Sequence, residues 1–194
     1  MKRTSLLIAV LLSLMASPAL AHLNPAEHGS FAAGFTHPSG ADHILAMVAV
    51  GLWASMLGGR ALVVVPLSFV GVMLLGFVAA LSGVTLPYVE PIILASVIVL
   101  GLLVAMAFRA STLTAALIVG FFAFFHGYAH GGEIGSAAFL SYGAGFALAT
   151  ALLHAAGIGV GLAAGRLLQG RTGQILMRIA GGFAALSGLY LMAG

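Results

Sequence analysis

Residues 112–130 read TLTAALIVGFFAFFHGYAH, a stretch of sequence without a single Asp, Glu, Lys or Arg. An α-helix needs roughly 20 predominantly apolar residues to cross the hydrocarbon core of a bilayer. The stretch therefore predicts a membrane-spanning helix, in which His126 and His130 are unusual residues. Its continuous apolar character does not fit the ~10-residue alternating pattern of outer-membrane β-strands.

The composition of the whole chain agrees with a membrane protein. Of its 194 residues, 62% are hydrophobic and only 6% are charged, whereas soluble domains carry about 25% charged residues. This excludes a soluble enzyme and a disordered tail, and seven Lys and Arg residues are too few for a nucleic-acid-binding stripe. We expect the lipid bilayer, and no nucleic acid, as a partner. The absence of Cys excludes disulfides and thiolate metal sites.

The N-terminal segment 1–21 has the pattern of a cleavable signal peptide. Residues 1–5 (MKRTS) are basic, residues 6–16 are apolar but too few to span a bilayer comfortably, and Ala19-Leu20-Ala21 is an A-x-A cleavage site. Cleavage would leave His22 as the mature N-terminus on the outer side of the membrane. The alternative is an uncleaved anchor helix.

The remaining residues, 22–194, predict one all-α domain, a bundle of six transmembrane helices. The fifth apolar run is over-long and rich in glycine, so we expect it to tilt or to end near Ala163. Within it, Gly157, Gly161 and Gly165 recur at four-residue spacing, which favours close packing of helix backbones in lipid. The predicted spans are 40–57, 61–83, 91–108, 112–130, 137–164 and 175–193.

The charged residues orient this bundle in the same way as the signal peptide. With the mature N-terminus outside, the loops after the first, third and fifth helices face the cytoplasm. Positive residues favour cytoplasmic loops, and the basic residues of the mature chain all fall there or at the start of the sixth helix. Both mature termini are then predicted on the outer side. The basic residues are Arg60, Arg109, Arg166, Arg171 and Arg178; the acidic residues, all on the outer side, are Glu27, Asp42, Glu90 and Glu133.

Two polar clusters are predicted at the outer ends of these helices. Residues 37–43 read HPSGADH, and residues 126–133 read HGYAHGGE. In the first cluster, Asp42 lies in the first turn of a helix, where the helix dipole favours an anion. In the second, His126 and His130 are four residues apart and share one helix face. Because the first span begins outside and the fourth ends outside, both clusters are expected at the same depth.

The residue types in these clusters point to a metal ion. A single histidine near a helix end is more often hydrogen-bonded than a metal ligand, but ionisable groups within membrane helices are costly and usually functional. Imidazole and carboxylate suit Ni, Co, Zn or Cu(II), and the ligand types do not choose among Ni, Co and Zn. The candidate metal ligands are His37, Asp42, His43, His126, His130 and Glu133.

Two further histidines are weaker candidates. After cleavage, the ring and the free α-amine of His22 could chelate one metal ion, with Glu27 and His28 nearby in the sequence. The alternative is a mobile tail, because chain termini are commonly disordered. His154 lies toward the cytoplasmic side of the fifth run and could be an inner relay ligand, with ordinary packing as the alternative.

Both clusters resemble the signature motifs of the HupE/UreJ family. The first motif, residues 37–43, continues into Leu45-Ala46-Met47, Val50-Gly51 and Trp53-Ala54, and the second, FHGYAHG at 125–131, is followed by Glu133. The resemblance covers essentially the whole chain. It implies a nickel, or sometimes cobalt, permease of the bacterial inner membrane, linked to hydrogenase or urease assembly. It also implies that the cluster residues handle Ni²⁺ or Co²⁺ as cargo, without a prosthetic group.

We therefore expect a permease that captures a divalent cation at the outer vestibule, and not an enzyme. The sequence has no Walker A motif, so the chain does not hydrolyse ATP itself. One alternative is an intramembrane metal-dependent hydrolase, because three histidines and an aspartate could hold Zn²⁺ with an open position for water. The other alternative is a metal-binding assembly partner that does not transport.

Overall fold

Every regular element in the part of the chain that the computed structural model describes is a helix. The predicted all-α class is confirmed for these residues, which include no strand. The predicted signal peptide, 1–21, lies outside them, as do His22, Glu27, His28 and Glu133. The described residues are 30–83, 85–131, 139–168 and 171–193. The helices are α1 (Phe31–Thr36), α2 (Ala41–Leu57), α3 (Ala61–Leu81), α4 (Val89–Ala105), α5 (Thr112–Gly131), α6 (Phe139–Leu167) and α7 (Arg171–Ala193).

Four of these helices, α3, α5, α6 and α7, are long and apolar enough to cross a membrane. A fifth span results if the helical segment Phe31–Ser39 and α2, which are bent by 84° relative to each other, are taken together. The 17 residues of α4 extend roughly 25 Å at the rise of an α-helix, slightly less than the ~30 Å of hydrocarbon in a typical bilayer. The protein is thus a multi-pass membrane protein in which each predicted run contains a helix. That all six cross the bilayer stays a prediction.

A short helix and a tight turn precede α2, and the sequence patterns did not predict the helix. Ser30 caps α1 by accepting a hydrogen bond from the backbone N–H of Ala33 at 3.0 Å. A 3₁₀ turn at His37–Ser39 then leads to Gly40, the N-cap residue of α2. The six residues of α1 are too few to show a helical repeat in the sequence. The turn is what places His37 beside the first turn of α2.

A residue with a left-handed backbone conformation lies beyond each end of α4. The run predicted at 91–108 is helical over Val89–Ala105. Tyr88 and Ala107 have φ angles of 60° and 53°, in the left-handed region that L-residues adopt singly and not within helices. The predicted start of this helix is therefore wrong by two residues and its predicted end by three, since no glycine marks these positions.

The longest helix, α6, has 29 residues and ends at Leu167. Of the two expectations for this run, the early end near Ala163 is therefore wrong, whereas the tilt stays a prediction. Arg166 lies in its last turn, where a cation interacts favourably with the negative end of the helix dipole. This interaction supports the additional turn.

Glycines bring α3 and α5 into direct backbone contact. Gly127 faces Met73 and Gly131 faces Phe77, so the two helices run side by side in the same direction. A methyl group added to either glycine would overlap the carbonyl oxygen of the residue it faces. In lipid, helices associate through such close packing because the hydrophobic effect does not drive them together. The helix that carries His126 and His130 is thereby held tightly against α3.

A second parallel pair consists of α2 and α6. Gly51 packs against the backbone of α6 near Gly157, and Gly161 packs against Ser55. The predicted packing role is confirmed for Gly157 and Gly161. It is not confirmed for Gly165, where an added methyl group would meet no atom of the residues that the structure describes.

Hydrogen bonds tie the helix ends together at the end of the bundle opposite His43. Arg109 donates from Nη1 to the carbonyl oxygen of Met56 at 2.9 Å, and Arg178 donates from Nε to that of Ala105 at 2.7 Å. These carbonyls lie at the C-terminal ends of α2 and α4, where cations are favourable. The arginines thus gather at one end of the bundle, as the alternating topology requires. That this end is cytoplasmic stays a prediction.

Candidate functional site

The first polar cluster lies at the start of α2. Asp42 and His43 occupy its first turn, and Nδ1 of His43 donates to Oδ2 of Asp42 at 2.9 Å. In the neutral ring, Nε2 of His43 then keeps its lone pair. A carboxylate that holds a histidine in this way fixes the ring orientation and strengthens the opposite nitrogen as a ligand. Asp42 is thus placed to orient His43.

The second polar cluster lies on the last two turns of α5. His126 is fully buried, its Nδ1 donates to the carbonyl oxygen of Phe122 at 2.9 Å, and its Nε2 has no hydrogen-bond partner among the described residues. His130 is also buried, and its Nδ1 has no such partner. Buried polar atoms are nearly always hydrogen-bonded. Each unpartnered nitrogen therefore requires an explanation.

The two clusters meet in the structure. Nε2 of His43 and Nε2 of His130 lie 2.7 Å apart. The ring centroid of His43 is 5.0 Å from that of His126, and the centroid of His37 is 4.2 Å from that of His130. The shared depth expected from the topology thus brings these residues into one group. We call it the histidine cluster; its members are His37, Asp42, His43, His126 and His130.

The histidine cluster is not a preformed metal cage. Among the residues that the structure describes, no three His, Asp or Glu side chains surround a common point at ligand distances. Two imidazole nitrogens bound to one ion are roughly 3.0–3.4 Å apart, so the Nε2 atoms of His43 and His130 would separate by roughly half an ångström to hold one. A third ligand requires a ring rotation or a group outside the described residues. The sequence predicts Glu133 as such a group, since it lies outside the described residues.

Aromatic side chains of α6 flank the histidine cluster. The ring centroid of His37 lies 5.6 Å from that of Tyr142 and 6.4 Å from that of Phe146. Phe146 also contacts His130, with 4.9 Å between centroids. The sequence reasoning missed both aromatic residues, although their four-residue spacing, which places them on one helix face, was an available signal.

Another histidine lies deeper in the bundle. His154, in the middle of α6, is 1% exposed. Phe69 of α3 contacts both His154 and His126, with centroid distances of 4.9 Å and 5.5 Å. His154 is therefore close to the histidine cluster but separated from it by one ring. Nothing in the sequence singled out Phe69, because a phenylalanine in an apolar helix has no distinguishing pattern.

Comparisons with known proteins agree on one family. The family model described as HupE / UreJ protein matches residues 10–191. The chain is similar to a curated relative, Protein HupE of Rhizobium leguminosarum bv. viciae, with 46% identity over 190 residues that cover 96% of this chain and 97% of the relative. No solved structure shows a significant match to the chain.

Proposed function

The chain belongs to the HupE/UreJ family, and on this premise we propose that it is a permease for a divalent transition-metal ion, with nickel or cobalt as the cargo. We place it in the bacterial inner membrane, with both mature termini in the periplasm, and link it to hydrogenase or urease assembly. The observation that carries this proposal is the 2.7 Å approach of Nε2 of His43 to Nε2 of His130. Two motifs that lie far apart in the sequence meet there within a membrane protein.

Capture of the ion is assigned to the histidine cluster. Imidazole nitrogen is a preferred ligand of Ni²⁺ and Co²⁺, and a carboxylate completes such sites. An arriving ion would replace the hydrogen bond between His43 and His130, while Asp42 keeps the ring of His43 in place. Glu133 and His22 are included as ligands on the basis of the sequence, Glu133 to complete the cluster and His22 to attract ions above it.

The ion would pass inward from the outer histidines of the cluster to the one that lies deeper in the bundle. His126 lies one helical turn further into the membrane than His130, and its Nε2 is unpartnered. Its neighbour His43 touches both rings. An ion could therefore exchange from His43 and His130 to His126 without leaving the protein. This stepwise arrangement favours transport over the alternative of a hydrolase, which needs three ligands around one fixed ion and an open water position.

The test is uptake of radioactive nickel and cobalt by cells that express the chain. We expect uptake by the wild type and loss of most uptake in His43→Ala and His130→Ala. Phe121→Ala is the matched control, because Phe121 lies on α5 like His130 but is 56% exposed at the bundle surface. Ion binding by the purified protein without uptake by cells would instead identify an assembly partner.

A further inference from the structure

His154 has an environment that packing alone does not explain. It is 1% exposed, and neither Nδ1 nor Nε2 has a hydrogen-bond partner among the described residues. A buried polar group without a partner destabilises a fold. A leucine at this position of an apolar helix would avoid that cost entirely. The chain nevertheless places an imidazole there, with at least one nitrogen lone pair available to a ligand.

The position of His154 continues the line of histidines toward the other end of the bundle. The ring of Phe69 contacts both His126 and His154. The backbone of His154 packs against Gly51 of α2, which is eight residues, or roughly 12 Å along the helix axis, beyond His43. His154 thus lies well inside the bundle, one aromatic ring away from the histidine cluster.

Two other donor atoms lie near this position. Thr150 is one turn before His154 on α6, and its hydroxyl contacts Sδ of Met73 at 3.6 Å. Met73 is one turn from Phe69 on α3, and Thr150 and Met73 are both fully buried. The hydroxyl and the thioether are weak ligands that could accompany a passing cation.

We propose that His154 is a second, inner binding position for the transported divalent cation, and that the ion reaches it from His126 past the ring of Phe69. This inference rests on the proposed function, since it assigns the next position on the same path. It also differs from a packing role in what it predicts. If His154 only filled space, an apolar residue of similar size would stabilise the protein and leave uptake unchanged.

The first test therefore compares uptake and stability in His154→Leu. We expect nickel uptake to fall about tenfold or more through loss of a ligand, with an unfolding midpoint in detergent equal to or above that of the wild type. His154→Gln keeps a polar side chain and serves as the second variant, with the same expected loss of uptake. Wild-type uptake in either folded variant would overturn the inference while leaving the proposed function intact.

The second test detects the ion at the position directly. His154→Cys introduces the only thiol of the chain, and a thiolate bound to Co²⁺ gives a charge-transfer absorption band in the near ultraviolet. Ser96→Cys is the matched control, because Ser96 is equally buried but lies on α4, which carries none of the histidines. Both purified variants are titrated with Co²⁺. We expect the band in His154→Cys and not in Ser96→Cys.

The two tests separate the possible failures. If the wild type takes up no metal, the proposed function fails, and the Co²⁺ band still shows whether an ion reaches position 154. Absence of the band in His154→Cys, while Co²⁺ still binds elsewhere in that variant, would overturn the inference. The band in both thiol variants would overturn it as well, because Co²⁺ would then reach any buried thiol.

Discussion

Nε2 of His43 and Nε2 of His130 approach to 2.7 Å across 87 residues of sequence. Because Nδ1 of His43 is engaged with Asp42, Nε2 of His130 is the donor and Nε2 of His43 the acceptor when both rings are neutral. The lone pair that a metal ion would use on His43 is thus occupied by a single exchangeable hydrogen bond. A cation that binds His43 would therefore replace the hydrogen bond between His43 and His130.

Asp42→Asn should weaken metal capture without abolishing it. The asparagine oxygen can still accept the hydrogen bond from His43, but the negative charge that strengthens the opposite nitrogen is lost. Changes of this kind typically cost about 10- to 100-fold in metal affinity or activity. The measurement is the KM for nickel uptake, with Asp42→Ala expected to have the larger effect. An unchanged KM in both variants would show that Asp42 does not act through His43.

Gly127→Ala should destabilise the bundle. The added methyl group would overlap the carbonyl oxygen of Met73 and force α5 away from α3, and overpacking of this kind costs about 1–3 kcal/mol. The histidines of α5 would be displaced as well, so uptake should fall along with the unfolding midpoint. Gly71→Ala is the control, since Gly71 also lies on α3 but an added methyl group there would meet no atom of the described part of the chain. Equal midpoints for the two variants would contradict the packing of α3 on α5.

Thr85→Cys and Ser111→Cys should differ in labelling by a membrane-impermeant thiol reagent. Both positions are exposed, Thr85 between α3 and α4 and Ser111 between α4 and α5. The distribution of arginines predicts that Thr85 is outside and Ser111 is cytoplasmic. In intact cells we expect labelling of Thr85→Cys alone, and labelling of both after permeabilisation. The reverse pattern would mean an inverted orientation.

His22→Ala should raise the apparent KM for nickel uptake with little change at saturating metal. The reason is that the ring and the α-amine that cleavage would leave could chelate one metal ion together, and both must be deprotonated to bind. The effect should therefore be largest at limiting metal and neutral pH. Sequencing of the mature N-terminus checks that cleavage still occurs. Uptake equal to that of the wild type at every nickel concentration would show that His22 takes no part in metal capture.

The sequence predicted both the helical class and the meeting of the two motifs, because each depends on features that the sequence shows directly. Long apolar runs have one stable form in lipid, and alternating helix directions place His43 and His130 at one end. Phe69 could not be predicted as a neighbour of the histidines, because an apolar helix does not reveal which of its faces is buried. The turn that positions His37 follows a helix too short to leave a pattern.

The two glycine-packed pairs also divide the histidine cluster. His43 belongs to α2, which is packed against α6, whereas His126 and His130 belong to α5, which is packed against α3. Each pair is stiff because its backbones touch, but the contact between the pairs at this point consists of side chains that a metal ion can rearrange. A cation bound by both His43 and His130 would therefore link the two helix pairs to each other through their side chains.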